Sequence, residues 1–142
     1  MRILRAAILM LVTGFLMPTL AQAASLQEQV STAYMAWDAA FNKGDPKAVA
    51  AFYTEDAVIL PPTHDVIKGP AEIEKFFAGL FGAGITGHQL SLLEANGDDN
   101  MAVAAAKWSA KSKDGASIGG IATHEFTKQA DGSLKLRLHT FN

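Results

Sequence analysis

The chain has 142 residues, with 12 Lys and Arg against 14 Asp and Glu, and 49% of its residues are apolar. That length holds one ordinary domain, and a net charge of −2 with a pI near 6.0 leaves no basic footprint for nucleic acid. The absence of cysteine excludes a disulfide framework, thiolate metal sites and a cysteine nucleophile.

A mean hydropathy of +0.14 is high for a water-soluble domain, and the excess sits at the N-terminus. Arg2 and Arg5 precede an apolar run from Ala6 to Met17, followed by Pro18 and Ala21-Gln22-Ala23. A charged start, an apolar stretch and an A-x-A site define a cleavable signal peptide over residues 1–23. The run is shorter than the roughly 20 residues a membrane-spanning helix takes. The expected mature domain therefore covers residues 24–142, in the periplasm or outside the cell, with no membrane attachment after cleavage. Removal of two arginines makes it more acidic and leaves Arg137 as its only arginine.

Ser25 to Asn42 reads as an amphipathic helix. Ser25 and Glu28 have the spacing of a capping box, and Leu26, Val30, Ala33, Trp37, Ala40 and Phe41 form one apolar stripe. Asp38 lies one residue off that stripe and is expected to face solvent. Gly44 suits the residue after a helix end, and Asp45-Pro46 suits the start of a short second helix, Pro46–Tyr53. Ala57–Leu60 and Val66-Ile67 read as short strands. Pro70 opens a third helix to about Phe81, and Gly82-Ala83-Gly84 ends it. The pattern then changes period: His88–Ala95, Met101–Lys111, Ile118–Lys128 and Leu134–Phe141 alternate or run apolar at strand length. Asn96-Gly97-Asp98-Asp99-Asn100, Lys113-Asp114-Gly115 and Asp131-Gly132 supply the turns between them. Helices first and a four-strand meander second define an α+β domain, with three N-terminal helices on one face of an antiparallel sheet.

This order of elements resembles the nuclear transport factor 2-like superfamily, and within it the SnoaL-like and ketosteroid isomerase-like branch. The match is carried by Trp37 through Asn42-Lys43-Gly44-Asp45, Phe52-Tyr53-Thr54-Glu55-Asp56-Ala57-Val58, Lys68-Gly69-Pro70 with Ile73 and Phe76-Phe77, and Asp131-Gly132-Ser133-Leu134-Lys135. It covers residues from about Ser25 to Asn142. The resemblance implies a cone-shaped fold with a pocket between the helices and a curved sheet. It also implies a homodimer through the sheet. Function is less constrained, because one fold hosts many chemistries. In ketosteroid isomerases a base, a tyrosine and a protonated acid serve the pocket. Carried over, the tyrosine position falls on Trp37, the base position on Pro61 and the sheet acid on or next to His124. All three groups are replaced, which argues against steroid isomerisation by that set.

His124 remains the candidate for chemistry. On a strand it shares a face with Ile118, Gly120, Ala122 and Phe126, and the small residues leave room beside it. There it could act as a general acid or base, partnered by Tyr34 or Asp38. The same position also suits a core histidine bonded to a neighbouring carbonyl, or one at a dimer face. His64 is expected in a loop over the pocket mouth, and His88 on a strand face with Leu90 and Leu92. No H-x-H or H-x₃-H spacing brings these imidazoles together, so neither a metal nor another cofactor is expected. The absence of G-x-S-x-G, P-loop and G-x-G-x-x-G motifs removes support for acyl and phosphate chemistry.

The expected ligand-binding set is Trp37, Tyr34, Leu60, Phe77, Trp108 and Phe126. Such walls suit a small apolar or aromatic molecule. Two functions follow. One is a secreted small-molecule-binding protein, with isomerase- or lyase-type acid–base catalysis by His124. The alternative is a non-catalytic homodimeric binding or assembly module of the cell envelope.

Overall fold

The computed structural model describes residues 24–142. The signal peptide reading concerns residues 1–23 and lies outside the described residues. The elements are α1 (Leu26–Asn42), α2 (Pro46–Ala50), β1 (Tyr53–Leu60), β2 (Ile67–Lys68), α3 (Gly69–Gly82), β3 (Thr86–Gly97), β4 (Met101–Lys111), β5 (Ser117–Lys128) and β6 (Leu134–Phe141). The three helices cover one face of a curved, open six-stranded sheet of order β2-β1-β6-β5-β4-β3. Among the described residues no helix is long and apolar enough to cross a membrane.

Local signals set the helix starts. Ser25 accepts a hydrogen bond from the Glu28 N–H at 3.3 Å, while the Glu28 carboxylate accepts from the Ser25 N–H at 2.7 Å. Asp45 accepts from the Ala48 N–H at 3.0 Å and opens α2. Gly44, at φ 69°, turns the chain between the two helices in a conformation that favours glycine.

The second helix is shorter than its pattern suggests, and β1 begins four residues earlier than Ala57. The cause is non-local. Tyr53 pairs with Leu136 of β6, and the Phe52 carbonyl accepts the Leu136 N–H at 2.8 Å. This β1–β6 pairing is parallel, whereas every other pairing in the sheet is antiparallel. It joins the helical half of the chain to the meander.

The core lies between α1 and the inner sheet face. Val30, Tyr34, Trp37 and Phe41 point inward from α1. Opposite them, β4 presents Ala102, Ala104 and Ala106, all buried. Large rings on the helix thus face methyl groups on the sheet, which lets the two layers approach closely.

Gly120 on β5 is a second place where size is fixed. A Cβ there would collide with the Asn142 backbone oxygen and lie 2.7 Å from Asn142 Oδ1 and 3.0 Å from Trp108 Nε1. Gly79 in α3 has open space around it. Gly120→Ala is therefore expected to lower stability by about 1–3 kcal/mol through overpacking. Gly79→Ala is expected to raise it by about 0.4–1 kcal/mol by reducing unfolded-state entropy. Urea denaturation of both variants checks the contrast, and equal effects would refute it.

Candidate functional site

The site begins with α1 lying along the edge strand β3. Asn42 clasps the backbone of His88: its side-chain amide donates to the His88 carbonyl, and its side-chain oxygen accepts the His88 N–H, both at 2.8 Å. One turn earlier, Asp38 accepts from His88 Nδ1 at 2.7 Å and from the Leu90 N–H at 2.8 Å. Asp38 thus faces β3 rather than solvent. The helix face that buries Trp37 and Phe41 also carries Asp38 toward an unpaired sheet edge, whose N–H groups need acceptors.

His88 is held by rings as well. Its ring centroid lies 4.8 Å from Phe41, 4.9 Å from Trp37 and 6.1 Å from Trp108, to which it is nearly parallel at 5°. Trp108 is fixed in turn by donating its indole N–H to the Asn142 backbone oxygen at 3.1 Å. These side chains, with Phe77, His139 and Phe141, wall an apolar cavity of about 200 Å³ between α1, α3 and the inner face of β3–β6.

His139 is buried at that wall. Its Nδ1 lies 2.8 Å from the Tyr53 hydroxyl, and its ring centroid is 6.1 Å from Trp37. Burial lowers the His139 pKa well below the usual histidine range, with further lowering from the neighbouring His124 and His88 imidazoles, which oppose a third positive charge. Burial also raises the Tyr53 phenol above its ordinary value, partly offset by the neighbouring Trp37 indole.

The expected site residues separate into three places. Trp37, Phe77 and Trp108 line the main cavity. Tyr34, His124 and Phe126 lie around a neighbouring void of only about 10 Å³, which Trp37 separates from the first. Leu60 is part-exposed at the far end of β1 and lines neither space. His64 stands in an exposed loop at φ 65°. His124 is 1% exposed, its Nδ1 lies 2.8 Å from the Tyr34 hydroxyl, and its Nε2 is buried without a partner. Burial, with the His88 imidazole opposing a second positive charge, lowers its pKa to about 3. Tyr34 is correspondingly raised by its own burial. The His124 imidazole is thus sealed, beside a void far smaller than a ring compound. The histidines that line the main cavity are His88 and His139. Among the described residues no cluster of three His, Cys, Asp or Glu side chains is placed to hold a metal ion.

An open cone of three helices on a curved sheet, with an apolar cavity at its centre, is the nuclear transport factor 2-like architecture. Residues 33–136 match the SnoaL-like domain, and the chain belongs to that family. Solved structures with the same fold include a ketosteroid isomerase-like protein from Erwinia carotovora atroseptica, at 21% identity and TM-score 0.65 over 80% of this chain and 92% of that one. Aln2 from a Streptomyces species matches at 19% identity and TM-score 0.70 over 82% and 89% of the two chains. A nuclear transport factor 2-like protein with a cystatin-like fold from Novosphingobium aromaticivorans matches at 15% identity and TM-score 0.68, over 81% and 79%. No match was found among curated proteins.

The buried histidines give the domain a pH dependence of defined sign. Both His124 and His139 have folded pKa values below the unfolded value near 6.5. Below pH 6.5 the unfolded chain therefore binds protons that the folded chain refuses. Stability is full above that pH and falls as the pH drops, for His124 down to about pH 3. Each histidine contributes a slope of up to about 1.4 kcal/mol per pH unit. The double variant Tyr34→Phe/His124→Phe removes one of the two and is expected to show a shallower loss between pH 6.5 and 4.5. Urea unfolding at several pH values measures this, and an unchanged slope would contradict it.

Proposed function

We propose that the protein is an exported small-molecule-binding protein whose cavity takes an apolar or aromatic molecule, and that acid–base chemistry there falls to His88 rather than His124. One observation carries the reading. His88 is at the wall of the cavity with Nδ1 on the Asp38 carboxylate, and its Nε2 has no partner among the described residues and is not sealed off. A carboxylate behind an imidazole fixes the ring and stabilises the imidazolium that forms when Nε2 takes a proton. The surrounding rings exclude water and provide the apolar contact a flat molecule needs. Kinship with the SnoaL-like family and the fold shared with a ketosteroid isomerase-like protein support an isomerase- or lyase-type reaction without a cofactor. Export rests on the signal-like residues 1–23.

Both tryptophans of the chain, Trp37 and Trp108, line the cavity. Entry of 1-tetralone, an apolar aromatic ketone, is therefore expected to quench intrinsic fluorescence saturably at a single site. Base strength is read separately with 5-nitrobenzisoxazole, a flat neutral probe. When a base removes its C3 proton, the N–O bond breaks, a nitrile forms and the electron pair leaves as a coloured phenolate. His88→Ala is expected to cut the cavity-dependent rate by about 10²-fold, and Asp38→Asn to cut it less. His124→Ala is expected to leave it intact in folded protein. Equal rates in wild type and His88→Ala would remove the acid–base role while leaving the binding role to the fluorescence result.

A second reading is an assembly module that dimerises through the outer sheet face. Exposed Val103 on β4 and Ile121 on β5 favour it, at 45% and 40% exposure, with Met101 and Leu93 nearby. Sedimentation is expected to show a dimer that Val103→Glu/Ile121→Glu converts to monomer. A monomeric wild type would end this reading.

A further inference from the structure

The two cavity-lining histidines present opposite hydrogen-bonding polarity to one apolar space. Their tautomers follow from the hydrogen-bond network. Asp38 Oδ1 accepts from His88 Nδ1 at 2.7 Å, so the proton of the neutral ring is on Nδ1 and Nε2 carries a lone pair. At His139 the partner is a hydroxyl, whose direction depends on its own neighbours. The Tyr53 hydroxyl is buried, and His139 Nδ1, 2.8 Å away, is its one acceptor among the described residues. A proton on that nitrogen would leave the hydroxyl hydrogen buried and unpaired, which is costly. Tyr53 therefore donates to His139 Nδ1, and the His139 proton is on Nε2. Neither Nε2 has a partner among the described residues, and neither is sealed in the manner of His124 Nε2. Both rings line the main cavity and flank the same Trp37 indole, at 4.9 Å for His88 and 6.1 Å for His139. The remaining lining is apolar, with no Lys, Arg, Asp or Glu.

We propose that the cavity recognises an uncharged ring compound through two hydrogen bonds of opposite polarity: His139 Nε2–H donates to an acceptor on the ligand, and His88 Nε2 accepts from a donor on it. The proposal rests on the ligand-binding reading above and adds the chemical class of the ligand. A wall whose own lining carries no Lys, Arg, Asp or Glu penalises ions, whereas an apolar body with one donor and one acceptor satisfies both nitrogens and leaves no polar group orphaned. His139 is thereby a ligand-recognition residue in its own right, and Tyr53 the positioning residue that sets its tautomer.

Four bicyclic probes separate the two contacts at pH 8: naphthalene with neither group, indole with a donor only, 1-tetralone with an acceptor only, and isoquinolin-1(2H)-one with both. Binding is followed by ligand-observed NMR titration, and each affinity change is divided by that of naphthalene for the same variant. Tyr53→Phe/His139→Phe is expected to weaken 1-tetralone and isoquinolin-1(2H)-one by about 3- to 10-fold each, the usual range for one hydrogen bond, and to spare indole. His88→Phe is expected to weaken indole and isoquinolin-1(2H)-one by a similar factor and to spare 1-tetralone. If either variant does not fold, ¹⁵N NMR of the wild-type imidazoles decides: an Nε2–H tautomer at His139 with an Nδ1–H tautomer at His88 supports the assignment. The reverse at either ring overturns it, as does a common loss for all polar probes. Failure of wild type to bind naphthalene overturns the cavity reading itself, whereas naphthalene binding without the selective losses overturns only the two-point recognition.

Discussion

The clasp between α1 and β3 is the contact on which the rest of the site depends. Asp38 and Asn42, one helical turn apart, give four hydrogen bonds to His88 and Leu90. They do for this edge strand what a further strand would do, pairing N–H and C=O groups that would otherwise face solvent or a stray partner. Gln27 extends the same role by donating to the Ala95 carbonyl at 3.3 Å. Because the clasp includes an imidazole, the interaction that fixes helix to sheet also orients a titratable group toward the cavity. Fold stability and site geometry are therefore joined at Asp38.

A second constraint is the bulge in β6. Between the pairs Phe126–Leu136 and Glu125–Leu138 an extra residue enters β6 with no partner on β5, and that residue is Arg137. Leu136 before the bulge and His139 after it both turn inward, although strict alternation would place them on opposite faces. Arg137 remains outside, held by Glu125 at 3.0 Å and Asp56 at 3.3 Å. Those exposed ion pairs contribute little to stability, but they mark the place where the strand changes parity. Beyond it, His139 and Phe141 reach the cavity instead of the solvent.

This bulge also explains what could be read from residues alone. The capping box at Ser25, the limits of β4 and β6, and the α+β class follow from local chemistry and hydrophobic period, and they appear in the structure as the sequence suggests. The early start of β1 at Tyr53 depends on Leu136, more than eighty positions away, and no local pattern encodes it. Asp38 looks solvent-directed on a helical wheel because the wheel has no edge strand beside it. His139 sits in a run of alternating leucines, Leu134, Leu136 and Leu138, whose period assigns it to the outer face. The only sequence trace of the parity change is Arg137, a charged residue between two leucines of a strand. Trp37, Phe77 and Trp108 were legible as cavity walls because large rings spaced on helix and strand must meet somewhere. The division of the histidines into sealed and cavity-lining was not legible, because it depends on which side of Trp37 each one falls.

Trp37 is the partition that makes two kinds of histidine out of one buried cluster. His124 and His139 are cross-strand partners with ring centroids 4.5 Å apart, and each Nδ1 is bonded to a tyrosine hydroxyl. Chemically they are near equivalents. The indole, however, closes His124 into the small void with Tyr34 and Phe126, and leaves His139 on the side of Phe77, Phe141 and His88. Its size alone does not achieve this. The ring is wedged against Phe41 at 5.3 Å and Phe77 at 5.6 Å, and the alanines of β4 leave space for α1 to bring it down to the sheet. A smaller residue at Trp37 would merge the void with the cavity, free His124 Nε2 and give the site a third imidazole. The polarity of the cavity is thus set as much by the residue that excludes a histidine as by the two that remain.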